Sequence, residues 1–261
     1  DGSVEGPELV LKRPLVHGGA ALGRALTALG EGLKGATFTP NCSTHIHVDC
    51  EGDSVLLLRT LLLSALMEET VFDYVGCPRT NTNFATPLRG EPRLETIIQG
   101  LGPRPNANGL TYLTNRYLWV NPLAFLKHGS VEFRLFDGTA DTAQIRKWVD
   151  ICAAIVRYAK RMRDGEHVRL LDPPATLVAD VLPMLSQGVV VDEMALQTSL
   201  TRNFPLIYSI VGRLTAWEAH QEVPEEEPEV NPRPVTLREL NPELNEQLNQ
   251  APLHGAEEID W

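Results

Sequence analysis

The sequence predicts an α+β fold, in which an antiparallel β-sheet with one polar, active face is backed by long helices. Two stretches alternate polar and apolar residues with the two-residue period of strands, and several others repeat apolar residues at helical spacing. Strands and helices do not alternate regularly along the chain, which disfavours a doubly wound parallel sheet.

The first alternating stretch is NCSTHIHVDC, residues 41–50. Successive side chains of a strand point to opposite faces of the sheet. One face would carry the polar residues Ser43, His45, His47 and Asp49. The opposite face is apolar enough for a core and would carry Cys42, Thr44, Ile46, Val48 and Cys50.

The second alternating stretch is SVEFRLFDGT, residues 130–139. Its polar face would carry Ser130, Glu132 and Arg134, and its apolar face Val131, Phe133 and Leu135. Taken alone, this strand fits a solvated face with a surface ion pair, which contributes little energy. HIHVD alone fits exposed or satisfied polar residues. Paired in one antiparallel sheet, the two strands would place five groups on a shared face: His45, His47, Asp49, Glu132 and Arg134.

Further elements follow from the same patterns. We expect strands at 7–15 and 112–121, and helices at 18–35, from Asp53 or Ser54 to Tyr74, and at 93–99, 141–165, 175–186, 191–200, 204–220 and 241–249. The helix that ends at Tyr74 is apolar nearly all round, so it should be buried on several sides.

Composition narrows the class of protein. The 261 residues are 43% hydrophobic, enough for a sizeable core, and the net charge of −11 argues against general nucleic-acid binding. The longest apolar run, residues 55–67, is interrupted by Arg59 and is too short to span a membrane, and no signal peptide is visible. We therefore expect a cytoplasmic protein with reduced, buried thiols at Cys42, Cys50, Cys77 and Cys152.

The shared polar face indicates a class of chemistry. Carboxylate oxygens and imidazole nitrogens suit a hard or borderline divalent cation. An arginine beside such ligands suits a phosphate or carboxylate, because its planar fork binds two oxygens. Charge neutralisation and positioning of this kind are what phosphoryl transfer needs.

Three segments together resemble the amidoligase family: THIHVD (44–49), RYLWVN (116–121) and VEFRLFDGT (131–139) followed by a helix. DGSVEGPELV (1–10) is similar to a further segment of that family, and the resemblance covers roughly residues 1–160. The family consists of ATP-dependent carboxylate–amine ligases that are related in fold to glutamine synthetase and glutamate–cysteine ligase.

The resemblance implies a set of site residues and the cofactors ATP and Mg²⁺. Glu132, Arg134 and His47 would be catalytic, and Arg134 and His47 would also contact the nucleotide. Magnesium would be held by Glu8, His45 and Glu132, with help from Asp1. Substrate would contact Arg79, Asn115, Arg116 and Asn121, for each of which a structural role stays open.

The sequence departs from the family pattern in two ways, a missing strand and two altered segments. The family's first strand carries Glu-x-Glu, and this sequence begins after the point where that strand would lie. Three explanations stay open: the strand was removed or left out, it comes from elsewhere, or the protein lacks it and is impaired. In addition, Ser43 and Thr44 stand where Gly-Leu is usual, and residues 11–14 replace Ser-Pro-Pro.

The predicted organisation is a catalytic domain over 1–220, with a helical extension over 166–220, an acidic Pro/Glu-rich linker over 221–236 and a tail over 237–261. The resemblance implies small-molecule or peptide carboxylates and amines as substrates, a bacterial, fungal or phage origin and homo-oligomers. Two alternatives to a ligase stay open. One is a degenerate relative that binds a protein partner through the acidic tail or forms part of a phage particle. The other is a metal-dependent hydrolase.

Overall fold

The computed structural model describes residues 9–11, 13–76, 85–91, 94, 110, 115–163, 178–179, 183 and 192–220. Contacts divide the chain into two compact units, one of Arg24–Gln221 and one of Asp1–Gly23 with Glu222–Trp261. The sheet and its supporting helices belong to Arg24–Gln221, which is the unit described below. The predicted α+β class is confirmed at the level of helices with a small antiparallel sheet.

The sheet of the described residues has three strands in the order β1, β3, β2. They are β1 (Ser43–Asp49), β2 (Val120–Asn121) and β3 (Ser130–Asp137), and both pairings are antiparallel. The central strand β3 therefore has a neighbour on each side. The predicted strand over 112–121 is confirmed for its last two residues; residues 115–119 precede it in irregular structure.

A β-bulge interrupts the pairing of β1 with β3. Ile46 pairs with Phe133, but Thr44 pairs with Phe136, so Arg134 and Leu135 together lie opposite the single residue His45. The extra residue lets Phe133 and Phe136 both contact Trp148, one ring edge-on and the other stacked at 5.6 Å. The bulge thus increases aromatic packing on one side of β3.

Five helices of the described residues have the following bounds: α1 Ala20–Gly32, α2 Ser54–Val75, α3 Leu123–His128, α4 Thr142–Arg163 and α5 Glu193–His220, with a 3₁₀ turn at Leu88–Gly90. Asp53 caps α2 as predicted, because its carboxylate accepts from the N–H groups of Val55 and Leu56. Helix α2 packs against α4, α5 and β3 and is buried almost all round, also as predicted.

The segment predicted as two helices, 191–200 and 204–220, is one continuous helix, α5, with Pro205 inside it. A tertiary contact explains the difference. Asn203, at the predicted break, is 3% exposed and donates to the carbonyl of Leu66 in α2 at 3.2 Å, and Ser199 donates to the same carbonyl at 2.9 Å. These bonds hold the helix through its proline.

The remaining predicted elements have mixed outcomes. Residues 9–11 and 13–15 of the predicted strand 7–15 are not in a strand, whereas Leu94 is helical within 93–99 and Val178, Ala179 and Pro183 are helical within 175–186. The helix predicted at 241–249 lies outside the described residues. No helix in the described part has both the length and the apolar character that a membrane crossing needs.

Candidate functional site

Strand pairing brings the predicted polar residues together. His47 pairs with Glu132 across β1 and β3, and Asn121 pairs with Glu132 across β2 and β3. We call Ser43, His45, His47, Glu132 and Arg134 the polar sheet face. All five come from the two alternating stretches, so the period of two placed them correctly.

Glu132 is the centre of this face. Its Oε1 atom lies 3.0 Å from His45 Nδ1 and 2.7 Å from Arg134 Nη1, and its Oε2 atom accepts a bond of 2.7 Å from Asn121 Nδ2. His47 Nε2 lies farther away, 3.8 Å from Oε1. Each carboxylate oxygen therefore has a close donor.

Burial excludes the alternative that β3 presents only a solvated face with a surface ion pair. Glu132 and Arg134 are each 7% exposed, because β3 is covered on both faces. Burial raises the pKa of Glu132. The hydrogen bond with His45 and the positive charge of Arg134 lower it by more, so the resulting pKa is about 2. Glu132 is therefore ionised at neutral pH and can act only as an acceptor.

Arg134 is also held by an aromatic ring. Its guanidinium carbon lies 5.7 Å from the ring centroid of Tyr117, and Arg116 lies 5.5 Å from the same ring. Among the described residues, the buried Nε of Arg134 has no hydrogen-bond partner. Arg134 is thus fixed in position by Glu132 and Tyr117 while one of its donors is unused.

His47 has two polar neighbours and one aromatic one. Its Nδ1 atom lies 3.2 Å from Ser130 Oγ, and its ring meets that of His128 edge-on at 5.9 Å. Burial lowers the pKa of His47, and Glu132 opposes this only in part. Burial and the charge of Lys127 lower the pKa of His128. Both imidazoles are therefore neutral at pH 7.

His45 lies between a hydroxyl and a carboxylate. Its Nε2 atom is 2.7 Å from Ser43 Oγ, while its Nδ1 atom faces Glu132. Ser43 and His45 are two positions apart on β1, so they share a face. The result is a continuous hydrogen-bonded chain from Ser43 through His45 to Glu132.

The predicted substrate residues divide into three groups. Asn121 contacts Glu132 directly, and Arg116 contacts the ring of Tyr117, which also lies against Arg134. Asn115 instead supports the neighbouring loop, where its amide donates to Thr86 Oγ1 and Glu91 Oε2 and its oxygen accepts from the N–H of Tyr117. The last predicted substrate residue, Arg79, lies outside the described residues, and so do the predicted magnesium ligands Glu8 and Asp1.

Asp49 is the member of the predicted face that does not join the cluster. Its carboxylate accepts from the N–H of Glu51 at 2.7 Å, so it stabilises the turn after β1. Glu51 in that turn has a φ of 58°, in the left-handed region. A structural role at the strand end explains Asp49.

Three residues of the site were not among the predicted ones: Ser43 as a hydrogen-bonding partner, Tyr117 and His128. Ser43 could have been chosen, because it precedes His45 by two residues on the same strand. Nothing in the sequence indicates that Tyr117 lies over Arg134 or that His128 meets His47. Both contacts depend on how the chain returns to β3.

The described residues offer two ligand atoms for a magnesium ion. Two ligands at right angles on such an ion lie about 3 Å apart, and His45 Nδ1 and Glu132 Oε1 are separated by 3.0 Å. No group of three or more histidine, cysteine or acidic residues in the described part can hold a metal ion. Since magnesium is often held by only one or two carboxylates plus substrate phosphates, the pair fits in part. Arg134 shares the same oxygen and would have to move aside.

The cysteines follow the predicted pattern incompletely. Cys50 and Cys152 are buried free thiols, as expected, but Cys42 is only half-buried. Burial raises the pKa of Cys50 to about 12 and that of Cys152 well above its usual value. Cys77 lies outside the described residues.

Comparisons with family models, with curated proteins and with solved structures gave no match. The resemblance to amidoligases therefore depends on the motifs alone.

Proposed function

We propose that this chain is an ATP- and magnesium-dependent ligase that joins a carboxylate to an amine through an acyl-phosphate, on a sheet like that of the glutamine synthetase catalytic domain. The observation that carries the proposal is the buried Glu132–Arg134 pair, with His45 and His47 beside it on one sheet face. Buried ionic groups are energetically expensive, and clusters of them are often found at functional sites.

The reaction would have two steps. A carboxylate oxygen of the acid attacks the γ-phosphorus of ATP, so that the bond to the bridging oxygen breaks and ADP leaves. The amine nitrogen then attacks the carbonyl carbon of the acyl-phosphate, phosphate leaves, and the amine loses a proton. Bound magnesium would neutralise phosphate charge.

Each residue of the site has a part in this scheme. Arg134, with its unused Nε and its position against Tyr117, would bind phosphate or carboxylate oxygens. His45 and Glu132 would hold the metal ion, with Glu8 and Asp1 as further ligands. Asn121 keeps Glu132 in place, and the neutral, half-exposed His47 would donate to or accept from the nucleotide. Arg79 and Arg116 would contact the acid or the amine, and Asn115 would hold the segment that carries Tyr117 in place.

A second candidate is a catalytically inactive relative that serves as a binding or assembly protein. The observation in its favour is that both oxygens of Glu132 already have donors within the chain, namely His45, Arg134 and Asn121. Such a cluster can stabilise the fold without any ligand. Its partner would then be a protein that binds the acidic residues 221–230.

Calorimetry of ATP binding, with and without magnesium, tests the proposal. We expect magnesium-dependent binding that weakens at least about 10-fold, or 1.4 kcal/mol, in Glu132→Gln and in Arg134→Ala. Arg146→Ala is the matched control, because Arg146 pairs with Asp150 on α4, away from the polar sheet face. Phosphate release would then be screened with pairs of acids and amines.

The other outcomes separate the alternatives. No binding at millimolar ATP by the folded protein would contradict the ligase and favour the inactive relative. Equal binding by Glu132→Gln and the unmodified chain would place any nucleotide site elsewhere.

A further inference from the structure

The chain of contacts from Ser43 to Glu132 has a chemical meaning that is independent of ATP. Ser43 Oγ lies 2.7 Å from His45 Nε2, and His45 Nδ1 lies 3.0 Å from Glu132 Oε1. A serine nucleophile requires this order of atoms: hydroxyl to one ring nitrogen, and the other ring nitrogen to a carboxylate. The constellation is recognised by geometry and occurs on unrelated folds.

Each ring nitrogen of His45 faces a different partner, with Nε2 toward Ser43 Oγ and Nδ1 toward Glu132 Oε1. This geometry suits the tautomer with its proton on Nδ1, because a carboxylate accepts hydrogen bonds. In that tautomer Nε2 accepts from the Ser43 hydroxyl and can remove its proton.

Neighbouring residues fix the positions of both Glu132 and Ser43, the two ends of the hydrogen-bonded series. Arg134 and Asn121 donate to Glu132, which keeps the carboxylate buried and oriented. Beside Ser43, the N–H of Gly138 donates to the carbonyl of Cys42 at 3.0 Å. A Cβ atom at position 138 would lie 2.6 Å from the Cβ of Cys42, so only glycine permits this close approach.

A second serine on the same sheet provides an internal comparison. Ser130 lies 3.2 Å from Nδ1 of His47, but Nε2 of His47 is 3.8 Å from Glu132, beyond hydrogen-bonding distance. Ser130 is also buried, at 6% exposed. Of the two serines, Ser43 alone has the continuous connection to the carboxylate.

We propose that Ser43, His45 and Glu132 form a nucleophile–base–carboxylate triad that takes an acyl group from an activated carboxylic ester. Ser43 Oγ bonds to the carbonyl carbon while its proton passes to His45 Nε2. The bond to the leaving alcohol breaks, and the alcohol takes that proton. Water, activated in the same way, then releases the carboxylic acid and restores the hydroxyl. This inference goes beyond the proposed ligase and needs neither ATP nor magnesium.

Labelling with a fluorophosphonate tests the triad. Attack by Ser43 Oγ forms an O–P bond, fluoride leaves, and the adduct is detected by the intact mass of the full chain and located by peptide mapping. We expect one adduct on Ser43, none in Ser43→Ala, and labelling of Ser130→Ala at the unmodified rate. His45→Ala and His45→Gln should both label at least about 100-fold more slowly.

Circular dichroism and urea unfolding establish that each variant is folded. Two variants at position 45 are used so that one misfolded protein does not decide the result. An adduct on Ser130 or another residue, an unchanged rate in a folded His45 variant, or no adduct on the folded unmodified chain would each overturn the triad. All labelling is done without ATP and magnesium, so failure here is distinct from failure of the ligase.

Discussion

His45 Nδ1 lies 3.0 Å from Glu132 Oε1, and this contact joins two strands that are distant in sequence. It places an imidazole and a carboxylate in a mostly buried setting with Arg134 beside them. The ionised state of Glu132 in the folded protein depends on these partners. As the pH falls, Glu132 should therefore gain its proton after exposed carboxylates have gained theirs.

Acid stability should reveal Glu132 directly. Its pKa falls from 4.5 to about 2 on folding, so its stabilising contribution is complete above pH 4.5 and is lost as the pH falls to 2. The loss should amount to about 3 kcal/mol in the free energy of unfolding. Urea unfolding from pH 6 to 2 measures it. Glu132→Gln should lack this part of the pH dependence, and the exposed Glu31→Gln should retain it. Identical slopes for all three proteins would contradict the assignment.

Asn121 should be the most sensitive neighbour of Glu132. Its amide donates to Glu132 Oε2 at 2.7 Å, and its oxygen accepts from the N–H of Leu123 at the start of α3. Asn121→Ala should cost about 1–3 kcal/mol in unfolding free energy, because these bonds are lost. Asn121→Asp should cost more at pH 7, since it places a second carboxylate beside the first.

The aspartate variant has a characteristic pH dependence. Like charges raise a carboxyl pKa in the folded state, so Asn121→Asp should regain stability relative to the unmodified chain as the pH falls from 7 toward 4. Thermal unfolding across this range measures the effect. An aspartate variant with the same pH dependence as the alanine variant would show that the side chain does not face Glu132.

Trp148 should contribute strongly to the stability of the packing between α4 and the sheet. It is fully buried, stacks on Phe136 and meets Phe133 edge-on. Trp148→Ala should destabilise the protein by about 3–5 kcal/mol, because it removes a large buried side chain and leaves a cavity. Lys147→Ala, at an exposed neighbouring position, should change the unfolding free energy by less than about 0.5 kcal/mol. Similar midpoints of urea unfolding for Trp148→Ala and Lys147→Ala would contradict the packing of Trp148 against the sheet.

Thiol reactivity should follow burial. Cys50 and Cys152 are buried with raised pKa values, whereas Cys42 is half-buried. Since the thiolate is the reactive form, iodoacetamide at pH 8 should modify Cys42 well before the other two, as mapped by peptide mass spectrometry. In protein unfolded by urea, Cys42, Cys50 and Cys152 should react with iodoacetamide at similar rates. Early modification of Cys50 in the folded protein would show that the turn after β1 opens.

Magnesium should slow the labelling of Ser43 several-fold. The ion would take His45 Nδ1 and Glu132 Oε1, and His45 would no longer be held in place as a base for Ser43. The labelling rate is compared in magnesium chloride and in sodium chloride of equal ionic strength. An unchanged rate at saturating magnesium would mean that the ion does not occupy this pair.

Periodicity in the sequence was sufficient to locate the main strands and helix α2. The period of two in residues 43–49 and 130–137 located β1 and β3 and assigned their polar face, because a strand has no other way to separate its two sets of side chains. Helical spacing and the Asp53 cap located α2 in the same way. These features depend on local geometry, which the sequence determines by itself.

Tertiary structure decided the properties that give the site its chemistry. Whether Glu132 and Arg134 are buried depends on what covers β3, and the contact of Tyr117 with Arg134 depends on how the chain approaches β2. Helix α5 continues through Pro205 because Asn203 and Ser199 bond to α2. The sequence alone thus determined which side chains share one face of each strand, whereas the register between the strands came from the structure. Burial and the contact of His45 with Glu132 arise from packing between distant segments, which no local pattern records.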